Sequence, residues 1–195
     1  MHRSISAATS AAAQRGVVLV TSLLLLVVVT ILAIAMFRSF GLDERIAGNV
    51  REKQRALNAA ETAEQFAETW LSQGNGSSAI ACTGFVGSNV GQVCTSTLQA
   101  QGINPATIPW PQGVNYLPQT PTPMAFQNNN TGGQGTYYTN PAFYIGFLNT
   151  AIVNGVSTTI YQIDAVGYGG SGNAAAVVEA TYQVQASSKN LGEGQ

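Results

Sequence analysis

Cys82 and Cys94 are the chain's two cysteines, with eleven residues between them. In an oxidising compartment such a pair closes a short loop worth roughly 3 kcal/mol in the chain-entropy picture; the alternative is two unrelated buried thiols. Zinc needs four ligands, and the single histidine, His2, is remote from Cys82. With no histidine beyond it, a Ser-His-Asp site is excluded as well. Asp164 and Glu179 remain, placed by strand alternation on facing strands and on the face opposite the apolar side chains. Paired carboxylates serve acid–base chemistry or a calcium site, but both need more charged company than this region holds. From Thr69 onward the charged residues are Asp164, Glu179, Lys189 and Glu193. The expectation is a protein that is not an enzyme, with no metal and no cofactor.

The elements that must carry these residues are legible in part. Phe143, Ile145 and Phe147 alternate; Tyr161, Ile163 and Ala165 share one face of a second strand; Val178, Ala180, Tyr182 and Val184 share one face of a third. "GYGGSGN" at 167–173 joins the last two as a hairpin loop. It lacks the strand-Gly-helix context of a phosphate loop. From Gly74 to Asn140 the sequence is turn-rich, with Pro105, Pro109, Pro111, Pro118, Pro121 and Pro123 opposing regular strand, and "NNNTGGQG" at 128–135 reads as a flexible loop. Asn75-Gly76-Ser77 and Asn129-Asn130-Thr131 match a glycosylation acceptor, a pattern short enough to arise by chance. The net charge of −1 gives no sign of nucleic-acid binding.

Val17 to Phe37 is a run of 21 residues without a charge or a proline. As a helix it spans about 32 Å, the thickness of a bilayer core. Arg3 and Arg15 precede it, so the positive-inside rule puts the N-terminus in the cytoplasm and the remainder outside. Three readings compete. Ala33-Ile34-Ala35 offers a signal-peptide cut, but the run exceeds a signal peptide's apolar core and continues through Met36-Phe37. A plain single-pass anchor is the second. The third is a cut after Gly16, where a basic leader gives way at once to Val17 and the helix is kept.

The helix does not stop at the membrane. Arg38 to Ser72 is helix-forming, and Leu42, Ile46, Val50, Leu57, Ala60, Ala63, Ala67, Trp70 and Leu71 recur mostly every three or four residues as one apolar stripe. Gly41 and Gly48 are sites of local weakness, and Gly74-Asn75-Gly76 is the stop.

The stretch from Arg15-Gly16 through the Leu/Val-rich helix to "ERIAGNVREKQRALNAAETA" at 44–63 resembles the N-terminal region of PilX-type minor pilins of type IV pili. "YQIDAVGYGGSGNAAAVVEATYQV" at 161–184 looks like the closing hairpin of the same family, while residues 75–157 carry no such likeness. The resemblance implies a pilin-like α+β fold. A prepilin leader (1–16) would precede a long helix (17–74, transmembrane over 17–37), its amphipathic half packed on a small antiparallel sheet within a globular head (75–195). It also implies cleavage by prepilin peptidase between Gly16 and Val17, with methylation of the new N-terminus on Val17.

One departure from ordinary pilins stands out. Major pilins carry a glutamate at the fifth mature position, which neutralises a neighbour's N-terminal amine; cleavage after Gly16 puts Thr21 there. An unpaired carboxylate at membrane depth costs about 2.5–3.5 kcal/mol on insertion scales. A subunit without it makes no demand on a neighbour ahead, which suits a tip position like that of the glutamate-less pseudopilins of type II secretion, unless Thr21 is an uninformative variant. The implied partners are other minor pilins, major pilin, a large tip adhesin, prepilin peptidase and the inner-membrane assembly machinery. The implied location is the inner membrane and then the pilus, with ties to adhesion and twitching motility. The alternatives are an adhesive head acting through residues 105–135 or the cystine loop, and an anchored extracytoplasmic protein unrelated to pili.

Overall fold

Helix α1 runs unbroken from Ala11 to Trp70, straight through Gly41 and Gly48. The computed structural model describes residues 11–87, 90–117, 132–133 and 135–185. His2, Arg3, Pro118, Pro121, Pro123, the Asn129 acceptor and most of the 128–135 loop lie outside the described residues. α1 gives way to a single wide turn, Leu71–Asn75, in which Gly74 takes φ +83°, a left-handed conformation that suits glycine. The Asn75 amide donates to the Trp70 carbonyl at 3.0 Å and ties off one of the open carbonyls at the helix end.

Among the described residues seven strands follow: β1 (Ala79–Ile80), β2 (Phe85–Val86), β3 (Val93–Cys94), β4 (Gly113–Asn115), β5 (Ala142–Val153), β6 (Val156–Tyr168) and β7 (Ala175–Gln185). β5, β6 and β7 are the long ones and pair antiparallel, as the alternation predicts. The sheet is nevertheless mixed: β1 pairs β3, β2 pairs β4 and β3 pairs β5 in parallel. These extra strands are two or three residues each, too short to show a two-residue period in a proline-rich sequence. The β5–β6 hairpin closes on Asn154-Gly155, with φ +53° and +80°, the dipeptide that a two-residue turn between strands favours.

The chain divides into two compact units, Met1–Gly48 and Asn49–Gln195. In the first, the apolar run is uncovered: Val17, Leu24, Ile31 and Phe37 are all more than half exposed. In the second, the C-terminal part of α1 packs on one face of the sheet. The stripe differs from its sequence outline. Leu42 and Ile46 are exposed in the first unit and Val50 in the second, and the helix residues of the second unit that are fully buried are Ala56, Ala59, Ala60, Ala63 and Ala67, followed by Leu71 in the wide turn. Small residues win because the helix comes down almost onto the backbone of the sheet. A Cβ on Gly167 of β6 would run into the Ala56 carbonyl and the Ala60 amide. Around that contact Phe143, Ile145, Tyr161, Ile163 and Ala165 complete a core with Val93 and Val114. The opposite face carries a second core of Cys82, Cys94, Leu98, Trp110, Ala142, Tyr144 and Val166.

Candidate functional site

The apolar run satisfies its own few polar groups. The hydroxyls of Thr21, Ser22 and Thr30 donate to the carbonyls of Val18, Leu19 and Val27 at 3.0, 2.9 and 2.8 Å. Nothing polar is left over for a hydrocarbon environment, so the helix is long and apolar enough to cross a membrane. Gly16 stands on the same helix with open space where a side chain would go, and Val17 beside it is 64 % exposed.

Three charged residues further along α1 hold it to the head. Both Glu52 oxygens accept from Arg55 Nη1 at 2.9 Å, and Oε2 also accepts the Gly170 N–H at 2.5 Å. Arg55 Nη2 donates to the Thr136 carbonyl, and its guanidinium lies 4.6 Å from the centre of the Tyr137 ring. Lys53 donates to the Ala175 carbonyl at the start of β7. Partial burial pushes the Glu52 carboxyl up, but the Gly170 N–H, the Arg55 hydrogen bond and the charges of Arg55 and Arg51 outweigh it and leave it below the ordinary value. Glycine is needed where the loop meets this clamp, since a Cβ on Gly169 would meet the Glu52 carbonyl. All three residues lie off the helix's apolar stripe in the sequence. The available signal was the Glu52–Arg55 spacing of three together with a glycine-rich loop able to approach it closely.

Cys82 and Cys94 are bonded to each other, their Cα atoms 5.4 Å apart. The bridge ties the β1–β3 segment to the second core, where the Trp110 indole N–H donates to the Pro105 carbonyl at 2.8 Å. Asp164 and Glu179 are direct cross-strand partners on this face. The residues that follow the bridge cover it, so Asp164 is 0 % exposed although it points away from the helix. Among the described residues no group of three or more His, Cys, Asp or Glu side chains is placed to hold a metal ion. The structure therefore brings Asp164 to Glu179 and Cys82 to Cys94, while Gly16, Val17 and Thr21 stay on the apolar helix, in the other compact unit.

Residues 15–63 match the family model described as PilX N-terminal. The matched segment takes in Gly16, Thr21 and the whole Glu52–Arg55 clamp. No curated protein and no solved structure matches the chain.

Proposed function

We propose that the chain is a PilX-type minor pilin of the type IV pilus, a reading supported by the match of its residues 15–63 to the PilX N-terminal family model, and that it starts or caps the pilus as part of a minor-pilin complex at the tip. Prepilin peptidase cuts after Gly16, and Val17 becomes the mature, methylated N-terminus. The helix then associates with other minor pilins in the inner membrane through close van der Waals packing, having few polar groups to offer. This nucleus lowers the barrier to adding major pilin and carries the large adhesin outward. The observation that carries the reading is Thr21. Its hydroxyl is already satisfied by the Val18 carbonyl, so it asks for no partner in the subunit ahead. The deciding experiment is the N-terminal mass of the mature protein from its native host, together with pilus counts after deletion of the gene. A start at Val17 and a loss of pili support the reading; an intact leader, or a start at Met36, overturns it.

A second reading, an adhesive or contact-making head, is favoured by the far end of the β5–β6 hairpin. There Ile152 is 80 % exposed, opposite Ser157 and past the last described residue pair with β7. Normal pili with lost adhesion in an Ile152→Ser variant would support it.

A further inference from the structure

Asp164 sits in the middle of a cross-strand row, with Tyr144 of β5 on one side and Glu179 of β7 on the other. It is fully buried, and among the described residues no cation is paired with it. From β5 comes the Tyr144 phenol, which donates to the Ser96 carbonyl at 2.7 Å and accepts from Gln101 at 2.6 Å. From β7 comes the Glu179 carboxylate, held by the Gln99 amide at 3.0 Å. β6 adds Gln162, two residues before Asp164, and the Tyr168 phenol, four residues after it on the same face. The segment 95–112, which covers this face, has no charged residue at all and offers only amides, hydroxyls and apolar groups.

Among the described residues the one side-chain donor to Asp164 is the Gln162 amide, at 3.2 and 3.3 Å to the two carboxylate oxygens. The same nitrogen donates to the Gln99 oxygen at 2.8 Å. Two amide hydrogens thus serve three acceptors, and the carboxylate takes the longer contacts. A buried carboxylate without a counter-ion and with one shared donor is costly; the protonated acid carries no charge and supplies a donor of its own. Burial pushes the Asp164 carboxyl up to about 6; Gln162 opposes this and the Glu179 charge adds to it. Gln162 and Gln99 link Asp164 to the overlying segment, and Gln112 extends the link by donating to Gln101 at 2.6 Å.

We propose that Asp164 is a proton-operated latch: protonated, it holds the 95–112 segment closed on the sheet, and ionised, it drives that segment to open and take up water. The folded form prefers the proton, so closure strengthens as pH falls through about 6 and is complete below the ordinary aspartate value of 3.8.

The test is hydrogen exchange on the full-length chain in detergent micelles at pH 5 and pH 8, corrected for intrinsic exchange. Peptides from 95–112 should lose protection about tenfold at pH 8, while peptides from the 56–70 part of α1 should not. Asp164→Asn should remove the pH response and stay closed. Glu179→Gln, at an exposed site, should keep the response and move its midpoint to lower pH. Equal protection at both pH values in the natural chain, or an undiminished response in Asp164→Asn, overturns the proposal. If Asp164→Asn does not fold, an unmoved midpoint in Glu179→Gln overturns it instead.

Discussion

The Glu52 carboxylate accepts the backbone N–H of Gly170 at 2.5 Å, a residue 118 positions further along the chain, while its two oxygens hold Arg55 at 2.9 Å. Through Arg55 the same carboxylate reaches the Thr136 carbonyl and the Tyr137 ring. One acid–base pair on α1 therefore pins both the β6–β7 loop and the segment before β5. This pair lies inside the stretch that matches the PilX N-terminal model, so the matched stretch carries the polar half of the head's own helix–sheet contact as well as an apolar anchor.

Glu52→Gln should lower the stability of the head by about 1–2 kcal/mol, since the network loses its negative charge and one of its two acceptor oxygens and leaves Arg55 half-paired. The Glu52 carboxyl lies below its ordinary value of 4.5 when folded, so its contribution is present above that pH and is lost as pH falls through the folded value. Asp164 works with the opposite sign in an overlapping range. The comparison is therefore melting temperature of natural chain minus variant, measured from pH 6 to pH 3. The difference should shrink towards acid.

Gly167→Ala should be severely destabilising, about 3 kcal/mol or more, because the new Cβ meets backbone atoms of α1 that cannot step aside. Gly48→Ala has open space around the new methyl group and should be neutral or stabilise by up to about 1 kcal/mol. Paired thermal melts of the two variants check the contrast. Equal effects would mean that helix and sheet do not approach as closely as described.

Replacing Cys82 and Cys94 together by serine should cost roughly 3 kcal/mol. The loss should appear as a drop in the urea midpoint that the natural chain reproduces when reduced.

Thr21→Val should leave membrane insertion and pilus number unchanged, since the hydroxyl bonds only within its own helix. Thr21→Glu adds a carboxylate worth about 2.5–3.5 kcal/mol against insertion and should reduce pilus number unless a neighbour's amine compensates. Counting pili in both variants tests whether the absence of a carboxylate matters to assembly.

Several features were legible in the chain because they depend on near neighbours. The unbroken apolar run, the helix end at Gly74, the faces shared by Phe143 with Ile145 and by Tyr161 with Ile163 and Ala165, and the hairpin at 167–173 all follow from periodicity and turn chemistry. Val153-Asn154-Gly155-Val156 belongs with them, an Asn-Gly pair between apolar residues being a strong local hairpin signal. The tertiary structure alone decided the rest. Val50 keeps the helical period yet stays exposed, while alanines form the contact, because the helix seats where Gly167 lets two backbones meet. Glu52 and Arg55 lie off the apolar stripe, and only a loop 118 residues away from Glu52 in sequence supplies the N–H that completes the pair. Asp164 alternates outward like any surface strand residue and becomes a buried acid only because the cystine-bound segment folds over it. Periodicity tells which face a side chain takes; what covers that face is set by long-range closure, which no local pattern encodes.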